Sequence, residues 1–189
     1  MKEIDLKEAS QKIKDGALIL AFLEDSISLI CDARINSSVD LMRKLKKRSS
    51  EKGFTILMDS DARVNKYVHD VPPLAWDIFD TSDSPIILIL PNGQNMAKNA
   101  LAKDGTIAVR MVNTLSEQKL VQAANGPVAA TSLLKEDGTL ASSVDDADQS
   151  LLEEVEYVLT LPPETKSYSM KKIPIVSLDM DSNVKIIRD

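Results

Sequence analysis

Apolar positions recur along the chain in two rhythms. Leu6, Ala9 and Ile13 stand at helical spacing and stop before Gly16, whereas residues 17–23 are apolar throughout, the pattern of a strand covered on both faces. After the polar Glu24-Asp25-Ser26, the run Ile27-Ser28-Leu29-Ile30-Cys31 predicts a second strand. Asn36 or Ser37 then caps a helix carrying Val39, Met42 and Leu45, and Phe54-Thr55-Ile56-Leu57-Met58 predicts the next strand.

Further on, Ser60 caps a short helix through Ala62, Val64 and Val68. Pro72-Pro73 suits the first turn of another helix, on which Trp76 reads as a core anchor. Strands are expected over residues 85–90, 106–110 and 128–132, with a turn at Pro91-Asn92-Gly93 and a helix starting at Ser116. Residues 135–148 are polar and acidic and read as an exposed excursion. A helix over 151–155, a strand over 157–161, a loop over 162–171 and two strands at 175–178 and 184–188 complete the pattern. Strand pairs adjacent in sequence alternate irregularly with helices. The fold class is therefore α/β: one domain over residues 1–189, with a twisted mixed sheet and helices on its faces.

Composition narrows the chemistry. The chain has 189 residues and a formal net charge of -6, enough length for one sizeable core. The start lacks an apolar leader and the longest apolar run is too short to cross a bilayer, so no membrane association and a cytoplasmic location are expected. Cys31 and His69 are the only residues of their kinds, which excludes a disulfide within the chain and argues against Cys/His zinc sites and nucleophile-histidine relays. Cys31 reads as a core residue and His69 as a surface one. No metal ligand and no catalytic residue is assigned. What remains is chemistry run by positioned cations, hydroxyls and backbone amides, of which phosphoryl or nucleotidyl transfer is the example.

Against the acidic background, residues 43–52 hold six cations, Arg43, Lys44, Lys46, Lys47, Arg48 and Lys52, and one anion, Glu51. They fall where the helix ends and the strand at Phe54 begins. Two readings stand side by side. A concave basic connection would bind phosphate-like anions, while cations in a last helical turn are also favoured by the helix dipole and simply stay solvated.

Four fragments in order, Lys46-Lys47-Arg48 with Lys52, Gly105-Thr106-Ile107-Ala108-Val109-Arg110, Pro127-Val128-Ala129-Ala130-Thr131-Ser132 and Val184-Lys185-Ile186-Ile187-Arg188, together with Cys31-Asp32-Ala33, resemble the YrdC-like family. Its active members are L-threonylcarbamoyladenylate synthases, which join L-threonine, bicarbonate and ATP, with Mg²⁺, for a tRNA modification; the family is also associated with double-stranded RNA. The resemblance implies a concave basic cavity in which Lys46, Arg48, Lys52 and Arg110 meet the nucleotide or another anion and Ser132 touches the nucleotide.

The chain departs from the family pattern at four places. Phe22-Leu23-Glu24-Asp25-Ser26-Ile27-Ser28 replaces a Thr-rich motif, Ser132-Leu133-Leu134 replaces Ser-Ala-Asn, Ile87 stands for a Thr, and Ile173-Pro174 stand for a late hydroxyl pair. Each lost hydrogen bond to a charged ligand would cost on the order of 1.5–3 kcal/mol. The expectation is thus a relative with eroded catalysis that keeps a basic pocket for a nucleotide, RNA or other anion. The alternatives are an active synthase and an interaction module that binds no small ligand.

Overall fold

The computed structural model describes residues 1–161 and 172–188. In chain order the elements are β1 (Lys2–Ile4), α1 (Leu6–Lys14), β2 (Ile19–Phe22), β3 (Ile27–Asp32), α2 (Asn36–Leu45), β4 (Thr55–Met58), α3 (Asp61–Tyr67), α4 (Pro73–Thr81), β5 (Ile87–Leu90), β6 (Ile107–Met111), α5 (Leu115–Ala124), β7 (Val128–Ser132), β8 (Tyr157–Thr160), β9 (Ile175–Leu178) and β10 (Val184–Arg188). The ten strands form one sheet in the order β1-β8-β2-β3-β7-β4-β6-β5-β9-β10. It is mixed as expected: β4 runs parallel to β6, while β3 and β4 both pair antiparallel with β7.

Strand alternation divides the interior into two layers. On one face Leu20, Leu29, Cys31, Ile56 and Met58 pack with Val39 and Met42 of α2 and Val64 of α3. On the other, Ile19, Ile30, Leu57 and Val128 pack with Ala9 and Ile13 of α1 and Leu120 and Val121 of α5. Cys31 is fully buried, and burial raises its thiol pKa; His69 is exposed. Trp76 is only half-buried on α4, tilted against Phe79 and packed on the first layer.

Ser60 caps α3, and Pro73 sits in the first turn of α4. Three local expectations need correction. Neither Asn36 nor Ser37 caps α2: the helix already includes both, and its N-cap, Ile35, offers no side-chain acceptor. Ser116 lies inside α5, whose cap is Thr114, accepting from the Glu117 amide. The expected helix over 151–155 is a 3-10 turn, Gln149–Leu152.

The stretch 135–148 is not a free excursion either. Leu134 and Leu140 form a bridge, and Ala141, Ala147 and the following Leu151 are buried against the first layer. Its acidic side chains satisfy local turns; Asp146, for instance, accepts from both Ser142 and Ser143. Polar composition here reflects tight turns over an apolar anchor. The loop expected over 162–171 lies outside the described residues.

Candidate functional site

The connection after α2 is built by backbone geometry. Lys46 caps the helix, and Lys47 takes a left-handed conformation (φ 46°) that turns the chain back toward β4. Arg48 then folds onto its own connection, its Nε and Nη2 donating to the Gly53 carbonyl at 3.0 and 2.5 Å. Arg43 donates to the carbonyls of Ser49 (2.6 Å) and Asn99 (2.5 Å), and both guanidiniums lie over the Phe54 ring. Gly53 has no alternative here, since a Cβ would stand 2.8 Å from the Ala102 nitrogen.

These contacts aim Lys46 and Arg48 into a cavity of about 280 Å³. Lys46 Nζ donates to the Ser132 carbonyl at 2.9 Å, joining the end of α2 to the end of β7. Burial, helped by the neighbouring Arg48 charge and opposed by Asp148, pushes the Lys46 ammonium down to about 8. Burial likewise lowers Arg48, with Arg43 adding repulsion.

Arg110 reaches the same cavity from the sheet. Its neighbour Val109 belongs to the first layer, so alternation turns Arg110 to the α1/α5 side, in a register row with Leu57, Ile87 and Ile175. There it is 2% exposed and enclosed by carboxylates: Nη2 donates to Glu117 Oε1 at 3.0 Å and lies 3.5 Å from Asp25 Oδ1. Burial works against its charge, but Glu117, Asp25 and Glu24 outweigh it and hold the guanidinium above the usual arginine value. Glu117 Oε1 also accepts the Glu24 amide at 2.8 Å, so one carboxylate fixes both the arginine and the β2–β3 turn.

A chain of hydroxyls closes the remaining wall. Ser132 Oγ donates to Ser26 Oγ (3.0 Å), Ser26 Oγ lies 2.9 Å from Ser28 Oγ, and Ser26 donates to Asp25 Oδ2 (3.1 Å). Ile87 and Ile175, in the row next to Arg110, also line the cavity, as do Lys172, Ile173, Leu134 and Leu140. Arg188, half-buried at the β10 end, donates to the Ile173 carbonyl through Nε and Nη2.

Of the residues expected from sequence, Lys46, Arg48, Arg110 and Ser132 therefore line one cavity. Lys52 is not among its lining residues; its side chain is exposed while its carbonyl accepts from Arg43 and Arg48. Sequence reasoning missed Glu117 and Asp25. A signal for Glu117 existed, because Glu117, Leu120, Val121 and Ala124 share one face of α5, placing a carboxylate on the buried stripe.

For a magnesium-bound triphosphate the cavity's described residues offer cations and no ready-made metal cage. Among the described residues no cluster of three or more His, Cys, Asp or Glu side chains could hold a metal by itself. Arg110 Nη2 faces Glu117 and Asp25, while its Nη1 is buried without a hydrogen-bond partner. Ile87 and Ile173 line the cavity without offering side-chain hydrogen-bond donors.

The comparisons with known proteins agree with the architecture. The family described as Telomere recombination, Sua5/YciO/YrdC, matches residues 11–189. A threonylcarbamoyl-AMP synthase of Pseudoalteromonas translucida is 28% identical over 153 residues, covering 79% of this chain and 82% of that protein. Among solved structures, E. coli YciO superimposes with a TM-score of 0.81 at 16% identity, covering 99% of this chain and 93% of that one. P. abyssi Sua5 complexed with L-threonine gives 0.78 at 18% identity over all of this chain, which spans 57% of that protein's length. Among the described residues, no helix is long and apolar enough to cross a membrane.

Proposed function

Because the chain belongs to the Sua5/YciO/YrdC family, we propose that it is a relative of the threonylcarbamoyl-AMP synthases that keeps the anion pocket and has lost turnover. The observation that carries this is the pairing of Arg110, which lines the cavity, with Glu117 and Asp25. A nucleotidyl transfer run on positioning and charge needs cations free to follow the phosphates. Here the central one is neutralised, and Ile87 and Ile173 offer no hydrogen bonds beside it.

The pocket nevertheless retains Lys46 and Arg48 as donors for an anion, whether a nucleotide or a smaller one. Double-stranded RNA has less support. Arg43 and Arg48 turn onto backbone carbonyls within the connection, and the net charge of -6 repels a polyanionic helix. Titration calorimetry with ATP and Mg²⁺, on the wild type and on Lys46→Ala, tests the reading. Weak binding that does not depend on Mg²⁺ and is reduced in Lys46→Ala agrees with it; tight Mg²⁺-dependent binding overturns it.

A further inference from the structure

Two stretches of opposite charge border the cavity. The connection after α2 contributes Lys46 and Arg48, and Arg110, Lys172 and Arg188 add cations along the rest of the lining. The stretch after β7 lines the same space with Leu134, Gly138 and Leu140. Yet residues 135–148 hold one cation, Lys135, and five anions, Glu136, Asp137, Asp145, Asp146 and Asp148. A cationic cavity is therefore bounded by an acidic segment.

That segment is fixed by its own hydrogen bonds. The Lys135 amide donates to the Thr139 carbonyl and the Gly138 amide to the Lys135 carbonyl, closing a tight hairpin, while the Ala141 amide returns to the Leu133 carbonyl. Asp146 pairs with Lys135 at 3.1 Å. Asp148 is tied most directly to the lining, since its amide donates to the Leu134 carbonyl at 2.9 Å. Its Oδ1 accepts from the Ser150 amide and hydroxyl at 3.0 and 2.7 Å, which holds the carboxyl below its usual range, and Lys47 and Lys46 lower it further through space. Lys46 Nζ meanwhile donates to the Ser132 carbonyl, so Asp148 opposes an incoming anion by its field and leaves that contact alone.

We propose that Asp148, with the acidic hairpin beside it, is a charge filter that admits anions of low charge to the cavity and turns away polyanions. This rests on the anion-pocket reading above and assigns the residue that sets which anions the pocket takes. A fixed carboxylate beside a cationic site repels every negative charge on a ligand, so the penalty grows with ligand charge, whereas the donors that hold one anionic group stay the same. A polyphosphate meets that repulsion several times over. A small anion meets it once or twice.

Calorimetry on the full chain at neutral pH, with inorganic phosphate and tripolyphosphate as probes, tests the filter. Asp148→Asn keeps an oxygen for Ser150 and should tighten each probe by roughly twofold per negative charge, the scale of a Coulomb interaction across water. The tripolyphosphate-over-phosphate affinity ratio should therefore rise at low salt and return toward the wild-type value as salt is added. Asp148→Glu, which keeps the charge, should hold the wild-type ratio. So should Glu3→Gln, which changes the net charge equally but lies on β1, at the far edge of the sheet. An unchanged ratio in Asp148→Asn, or an equal rise in Glu3→Gln, overturns the filter and leaves the anion pocket standing. If neither probe binds the wild type or Asp148→Asn, the anion-pocket reading and the filter fall together.

Discussion

The guanidinium of Arg110 and the carboxylate of Glu117 meet at 3.0 Å with their side chains 2% and 1% exposed, behind the cavity surface that Arg110 lines. The pair joins β6 to the first turn of α5, and through the Glu24 amide it reaches the β2–β3 turn. It is at once a structural tie and the feature that changes the pocket's electrostatics.

Removing one partner leaves a buried charge uncompensated. Glu117→Leu should therefore destabilise the fold by ~3–5 kcal/mol, and the double variant Arg110→Met with Glu117→Leu should recover much of that loss. Urea unfolding of the three proteins measures both. Equal stability of Glu117→Leu and the wild type would show that the pair is not closed in solution.

Lys46 supplies a pH signature. Its ammonium is held down to about 8, below the ordinary lysine value of 10.5, so between those values the unfolded chain binds more protons than the folded one. The sign is then fixed: this group's contribution to stability rises as pH increases through that window, while affinity for an anion falls as the charge is lost. Chemical denaturation and anion titration across the window should show opposite slopes, and Lys46→Met should remove this residue's share of both.

Gly53 is the hinge of the basic connection. In Gly53→Ala the new Cβ would come within 2.8 Å of the Ala102 nitrogen and 3.0 Å of the Ala100 oxygen, both backbone atoms that cannot swing aside. A cost of ~1–3 kcal/mol is expected. Because the Gly53 carbonyl anchors Arg48, anion affinity should fall with the melting temperature; a variant with unchanged melting would contradict the packing described.

Much of the sheet was legible from local pattern. Continuous apolar runs marked β2, β3, β4, β5 and β7, and Ser60 and Pro73 marked helix starts, because burial on both faces and capping chemistry are written into short stretches. At α5 the better signal was Thr114 with Glu117 three residues on, a capping-box spacing, but the Glu117 side chain turns to Arg110 instead of back to the cap. The packing of 135–148 depended on Ala141 and Ala147, two small residues in a polar setting, which carry little hydropathic signal.

The site was half legible for the same reason. Lys46 and Arg48 stood out as a local charge run, whereas only the family resemblance joined them with Ser132, whose carbonyl accepts from Lys46. That Arg110 is neutralised depends on Asp25, 85 positions earlier, meeting Glu117 across the fold, and no local pattern encodes such an encounter. Lys52 is not among the cavity's lining residues, and its carbonyl serves the connection by accepting from Arg43 and Arg48.

Turnover is the most direct test of the account. Pyrophosphate release is measured at high enzyme concentration with ATP, Mg²⁺, L-threonine and bicarbonate together, and again with threonine or bicarbonate left out. The neutralised Arg110 predicts the same baseline trace in all three mixtures. Release that requires both threonine and bicarbonate would contradict it.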